Sequence, residues 1–370
     1  MKHAKSIAYL RQLCCSGLSK EVVIPEFLRA IQAVIPSGSN TFSGWNESII
    51  PTYFILENAI ADLDASELIP VIISAFFTPE RTNSFVGWFI THPTLTDSKI
   101  LDRNFYKTDF YNLIFRPYDQ HHSLLTLVWI NGKPVGTINL FRPRHQKPFN
   151  TREQNLMPQL LPYISHALQA PDDKSIQYSE TGSSGLMIMT VQGQIELMSY
   201  QAKNLLALAC HPTLTANGRS EEAEMLAKLA QLCRNLDTIF QGKHAAPPSW
   251  SYTNSRGRFI FCAHWLNKQN NEPGGFIGMT IEHQEPLTLK ILRALQALPL
   301  STMQKEVALL LAQGFSNEKI GEHLHIKNTT VKDHLNKIFI KLDIHHREEL
   351  LPKLLVLEKQ CVDVAISIVK

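Results

Sequence analysis

Leu300-Ser301-Thr302-Met303-Gln304-Lys305-Glu306-Val307, then Gly314-Phe315-Ser316-Asn317-Glu318-Lys319-Ile320, then Thr330-Val331-Lys332-Asp333-His334 decide the fold of the C-terminal part of this chain. Ser301 and Gln304 stand three apart, the spacing at which two side chains reciprocally satisfy the free amides of a helix start. A helix is expected from there. Met303, Val307, Leu310 and Leu311 recur at three- and four-residue steps and give it one apolar face, and Gly314 supplies a permissive stop. Ser316 is placed to cap a second, short helix. That helix turns Ile320 and Leu324 inward, with Gly321 between them allowing a neighbouring helix close. A turn around residues 325–328 follows.

The third helix carries the most information. Val331, Leu335, Ile338, Phe339 and Leu342 fall on one side at about 100° per residue. Thr329, Lys332, Asp333, Asn336 and Lys337 fall on the other. From Lys327 to Lys341 the bases are Lys327, Lys332, Lys337 and Lys341, against the single acid Asp333. A helix with a buried stripe and a basic opposite face has the shape and charge of one that enters the major groove of B-DNA. One amphipathic helix alone would say little, since any such helix has a solvated charged face. Three capped helices in this order say more.

These residues resemble the LuxR-type, or FixJ-like, helix-turn-helix family over residues 300–350. Glu306-Val307, Leu310-Leu311-Ala312, Gly314, Ser316-Asn317, Ile320, Leu324, Ile326, Thr330-Val331-Lys332, His334, Ile338, Lys341-Leu342, Arg347 and Glu349-Leu350 agree with its pattern. The resemblance implies an all-α four-helix domain that binds double-stranded promoter DNA as a homodimer and contacts RNA polymerase. By alignment it also implies that Lys332, Asp333, Asn336 and Lys337 meet bases and phosphates, with Asn317, Lys327, Thr329, Thr330 and Lys341 completing the interface. Lysines suit phosphates or guanine, Asn336 suits adenine, and Asp333 can accept from cytosine. Three positions depart from the family. Asp333 replaces an apolar or small residue, so an unusual base preference is expected. Lys327 replaces a serine cap, which should shift the cap to Asn328. Pro352 falls in the helix the family commonly uses to dimerise, and beyond the first turn it would cost a hydrogen bond and kink that helix.

The rest of the chain bounds what surrounds this reader. At 370 residues there is room for about two or three domains. The net charge of +3 excludes a polycationic coat, so any DNA affinity must come from a local patch. No apolar run approaches the ~20 residues that span a bilayer, and Met1 to Ser6 begin no secretory segment. The cysteines, Cys14, Cys15, Cys210, Cys233, Cys262 and Cys361, lack metal-ligand spacing and fit a reducing cytoplasm. Neither a cofactor nor a metal is expected.

Upstream, an α+β pattern is expected over residues 1–170. His122 to Ile130 and Lys133 to Arg142 are strand-like runs joined by Asn131-Gly132, a strong hairpin signal. A helix follows near Thr151, where Gln154 completes a second capping spacing. This hairpin and helix, with Leu140-Phe141-Arg142 and Phe149-Asn150 between, resemble the close of GAF-like sensory domains. Of the 32 aromatic residues, 21 lie in the first 170, among them Trp45, Phe76, Phe77, Trp88, Phe89 and Trp129. They either line a ligand pocket or fill an ordinary core.

Residues 171–184, with Asp172-Asp173-Lys174 and Thr181-Gly182-Ser183-Ser184, read as a linker. Over residues 185–284 the order is β-β-α-α-β-β-β. Strands lie at 185–190 and 194–198, helices at 201–208 and 221–240, and three further strands end near Glu282. This order resembles a PAS-like domain. Residues 285–299 form a connecting helix whose Ile291, Leu292, Leu295 and Leu298 stripe either pairs with a second chain or packs on its own. The reader fills residues 300–370.

Other chemistries find little support. Cys233 lacks the flanking residues of a flavin-binding PAS motif and reads as a core cysteine. His121-His122 and His345-His346 are adjacent, poor geometry for one metal, and read as solvated or capping. No GxSxG, HExxH or GxxxxGK[ST] pattern occurs. The expectation is a cytoplasmic, non-enzymatic, one-component regulator with a small-molecule effector. Two alternatives remain open: an enzyme upstream with the reader as a localising module, or a scaffold that binds a partner protein.

Overall fold

The computed structural model describes residues 3–58, 65–76, 87, 92, 94–97, 104–170, 176–215, 218–267 and 275–368. Phe77, Trp88 and Phe89, and the first five residues of the expected linker, lie outside them. Contacts divide the chain into two compact units. One comprises residues 17–173 and 180–284; the other gathers Met1–Ser16, Lys174–Ser179 and Glu285–Lys370.

The larger unit holds two antiparallel five-stranded sheets. The first is built from β1 (Gly38–Trp45), β2 (Pro51–Leu56), β3 (Thr94–Thr96), β4 (His122–Ile130) and β5 (Lys133–Arg142), in the order β2-β1-β5-β4-β3. Asn131 and Gly132 take φ of 50° and 76°, so both turn residues adopt the left-handed geometry that closes the β4–β5 hairpin without splaying it. The second sheet uses β6 (Ser183–Met189), β7 (Ile195–Met198), β8 (Ser249–Asn254), β9 (Gly257–Leu266) and β10 (Phe276–Gln284), in the order β7-β6-β10-β9-β8. Both sheets therefore repeat one topology, in which the last hairpin inserts beside the first strand.

Helices cover each sheet. The first has α2 (Lys20–Ala30) against β1 and β2, and α4 (Thr151–Ala167) against β3 and β4, while α3 spans Ala65–Phe76. The capping box of α4 sits one residue earlier than its spacing suggested. Asn150, not Thr151, accepts from the Glu153 amide at 3.1 Å, and Glu153 returns the bond at 2.9 Å. Both pairs have the right separation, and Glu153 is decided by Arg142, which grips its carboxylate at 2.7 Å. On the second sheet lie α5 (Tyr200–Cys210), against β6 and β10, and α6 (Gly218–Phe240), against β9. Met187, Met189, Phe259, Phe261, Met279 and Cys233 fill the core between them. Each fully buried side chain of this size contributes about 1.5–3 kcal/mol as an upper bound.

The smaller unit is helical. Helix α1 (Ala4–Cys14) packs on α7 (Leu287–Ala297), which in turn meets α8 (Thr302–Ala312) and α11 (Leu350–Ile368). Between the last two run α9 (Asn317–Leu324) and α10 (Asn328–Leu342). Ile291, Leu292 and Leu295 of the connecting helix are buried inside this unit, and Ile291 and Leu295 join the core of the C-terminal helices. The stripe therefore packs on its own chain. Buried Lys305 donates to the Gln296 carbonyl at 3.0 Å and fixes α8 to the end of α7, while burial and then the Lys5 charge press its pKa down.

Pro352 does not interrupt the last helix. A 3-10 turn over Arg347–Glu349 precedes α11, so Pro352 is the third residue of the helix, within the first turn. Amides there have no intrahelical acceptor, and proline loses nothing by lacking one. Deeper in the helix, Glu358 is buried at 3.5 Å from Arg293 and 3.9 Å from Lys290 of α7.

Candidate nucleic-acid interface

The reader begins as its spacing predicts. Gln304 donates its amide to the Ser301 hydroxyl at 3.3 Å, and the Gln304 side chain accepts from the Ser301 amide at 3.0 Å. Such a cap is worth about 1 kcal/mol. Helix α8 ends with Gly314 at φ +88°, the Phe315 amide reaching Leu310 and the Gly314 amide reaching Leu311. That pair of bonds is a Schellman closure, which needs the left-handed residue that glycine supplies. Ser316 then caps α9 by accepting from the Lys319 amide at 3.3 Å.

Gly321 is required, for a neighbour other than the helix its spacing suggested. A side chain there would meet the Ile326 carbonyl at 2.8 Å, because the turn backbone crosses α9 at that point. His325 ends α9 in the left-handed region at φ 53° and swings the chain into α10.

The cap of α10 does not shift to Asn328. Lys327 occupies the capping position and contributes no side-chain bond there, while Asn328 is already helical. Its Nδ2 donates across to Glu318 of α9 at 3.3 Å, and its Oδ1 is buried without a hydrogen-bond partner among the described residues. Cross-helix bonding has taken the side chain that the cap would have used.

Val331, Leu335, Ile338 and Leu342 of α10 are buried and share one core with Val307, Leu311 and Ile320. On the outward side Lys327, Thr329, Lys332, Asp333, Asn336 and Lys337 are exposed, with Thr330 and Asn317 half-buried at its edge. Among the described residues no hydrogen bond or ion pair holds the side chains of Lys332, Asp333, Asn336 or Lys337. This leaves two lysines, an aspartate and an amide facing solvent from one helix, with Lys327 exposed at its cap.

Lys341 stands apart from the other candidates. Its ammonium donates to the Pro299 carbonyl and to Gln304 Oε1, both at 3.0 Å, so it braces α10 against the start of α8. Glu318 borders the basic face. Its own backbone amide, then Ser316, Asn328 and the Lys332 charge, hold its carboxyl below the ordinary range.

One residue of this surface escaped notice in the sequence. Ile340 is 81% exposed on α10. It lies nine residues beyond Val331, half a revolution from the buried stripe at about 100° per residue, and that phase was its signal. An aliphatic side chain on a groove-facing helix suits the thymine methyl.

The adjacent His121 and His122 are half-buried, and each has a side-chain partner. Tyr111 meets His121 Nδ1 at 2.6 Å, and Asp97 lies 3.4 Å from His122 and accepts from the Tyr106 hydroxyl at 2.8 Å. Burial, and then the neighbouring His122, lower the His121 pKa.

A capped tri-helical core that holds a basic helix outward defines a helix-turn-helix DNA-reading domain. Residues 298–353 match the family described as bacterial regulatory proteins, luxR family, so the C-terminal segment carries a LuxR-family helix-turn-helix domain. No curated protein matches the chain. Among solved structures, the crystal structure of the phage VqmA-DPO complex matches at 14% identity over 46% of this chain and 81% of that one, with a TM-score of 0.17. A superposition of that quality bears on neither fold nor function. Among the described residues no helix is long and apolar enough to cross a membrane.

Proposed function

We propose that the chain is a one-component transcription regulator that reads promoter DNA through α10, with the two-sheet unit as its sensor. The observation that carries this reading is the unpartnered basic face of Lys332, Asn336 and Lys337 on the third helix of a LuxR-family reader. In this reading Lys332 and Lys337 meet phosphates or guanine, Asn336 meets adenine, and Asp333 tests for cytosine. Lys327, Thr329, Thr330 and Asn317 flank them, and Lys341 acts by bracing. The two sheets serve as GAF-like and PAS-like modules, and the protein acts in the cytoplasm without catalysis.

Two copies on two half-sites, with RNA polymerase as a further partner, complete the proposal. Sensing requires an effector that binds the DNA-competent and incompetent states with different affinity. A gel shift on the DNA upstream of its own coding region tests the reading. Retarded bands at low salt, lost on raising it, are the expected result. No binding to that DNA or to random duplex at low salt overturns it.

A further inference from the structure

A cavity of about 230 Å³ opens in the larger unit beside the edge of the first sheet. Phe54 of β2 pairs with Leu214, amide to carbonyl both ways at 2.9 and 2.8 Å, so the segment after α5 extends that sheet. Behind this bridge, Phe54, Leu56, Met198, Leu206, Leu214 and Leu226 make apolar walls.

Arg256, in the β8–β9 turn, lines this space beside Pro212. The turn is held on every side. Asn254 donates to the Leu208 and Ala209 carbonyls at 3.2 and 2.9 Å and accepts from the Arg256 amide at 2.8 Å. The Ser19 hydroxyl donates to the Ser255 carbonyl at 3.0 Å, His283 Nε2 lies 3.2 Å from the Arg256 carbonyl, and Arg256 Nε donates to the Pro212 carbonyl at 2.9 Å. The guanidinium is thus fixed before any ligand arrives. Its two terminal nitrogens have no acceptor, and no carboxylate lies within ion-pairing distance of it, among the described residues.

The surrounding charges leave that guanidinium uncompensated. Arg29, which adds to the positive field, is paired with Glu26 at 2.9 Å, and Glu21, the nearby acid, lies 4.0 Å from Lys20. On the cavity wall Glu222 faces His211 at 3.9 Å, and Lys203 adds a second cation. A fixed guanidinium fork with two open nitrogens matches a carboxylate bidentately. The apolar remainder matches a hydrocarbon body, and at about 30 Å³ per water-sized group the space holds about eight of them.

We propose that this cavity is a binding site for a small monocarboxylate with an apolar body, its carboxylate held by Arg256. The inference rests on reading the two sheets as a sensing unit and not on how α10 meets DNA.

Hexanoate, with about eight heavy atoms, is the probe, and hexanamide its uncharged control. Ligand-observed NMR and calorimetry on the full chain should give saturable hexanoate binding, at least about tenfold tighter than hexanamide. Arg256→Gln should lose about tenfold in hexanoate affinity, and Leu226→Trp, which fills the cavity without touching the turn, should abolish binding. Circular dichroism checks each fold, and Leu226→Trp decides alone if Arg256→Gln does not fold. No saturation at millimolar hexanoate, equal binding of acid and amide, or full binding by Leu226→Trp overturns the proposal. None of these readouts uses DNA, so a failed gel shift and a failed ligand site are separate results.

Discussion

Lys341 donates to Gln304 Oε1 at 3.0 Å, and the same oxygen accepts from the Ser301 amide, so one side chain joins the end of α10 to the first turn of α8. The family alignment places this lysine with the DNA contacts, whereas its bonds are spent within the protein. Lys341→Met should lower the stability of the helical unit by about 0.5–1 kcal/mol, the range for an exposed charged hydrogen bond. It should leave the salt dependence of DNA binding unchanged. Chemical unfolding and a salt titration of the same variant check both halves, and a flattened salt slope would return Lys341 to the phosphate contacts.

The double change Lys332→Ala with Lys337→Ala should weaken binding to every DNA sequence. Each phosphate contact contributes about 0.9 to the slope of log affinity against log salt, so the slope should flatten by about 2. Asn336→Ala should act differently, relaxing preference at particular base pairs by about 1–3 kcal/mol. Binding to a randomised duplex library at fixed salt separates the two effects.

Gly314→Ala should destabilise the reader by about 1–2 kcal/mol, because φ of +88° places a side chain in the left-handed region. No atom lies within 4 Å of the added methyl, so the cost is conformational and not steric. Gly314→Asn, which tolerates that region better, should recover part of the loss in the same unfolding measurement.

Burial pushes the Glu358 carboxyl above its ordinary 4.5, outweighing Lys290 and Arg293. A carboxyl that holds its proton more tightly when folded gives its full contribution below the unfolded pKa and loses it as pH rises through the folded value. Wild type should therefore fall in stability relative to Glu358→Gln as pH climbs from 4.5. Parallel profiles in denaturant titrations across that window would show the carboxylate to be fully compensated by its cations.

The reader was legible because its determinants are local. Ser301 with Gln304, Gly314 and the stripe from Val331 to Leu342 each act within one or two turns. The surroundings of Lys341, Asn328 and Pro352 come from Pro299, Glu318 and the 3-10 turn before α11, which spacing does not reveal. Upstream, the β4–β5 hairpin was visible in Asn131-Gly132, but β1 was not. Its Asn40 and Ser43 are buried and bonded to Leu28, Phe141 and Asn139, a polar seam that hides the strand from any apolar periodicity. Arg256 was equally invisible, because its surroundings come from Ser19, Leu208, Pro212 and His283.

Helix α1 belongs to the same unit as the reader, although more than two hundred and fifty residues separate it from α7. It is made before both sheets, and the helix it packs against emerges only after them. Until then Leu10 and Leu13, buried in the folded protein, lack the α7 contact. The helical unit is consequently completed only after the sheets that separate its segments have been made.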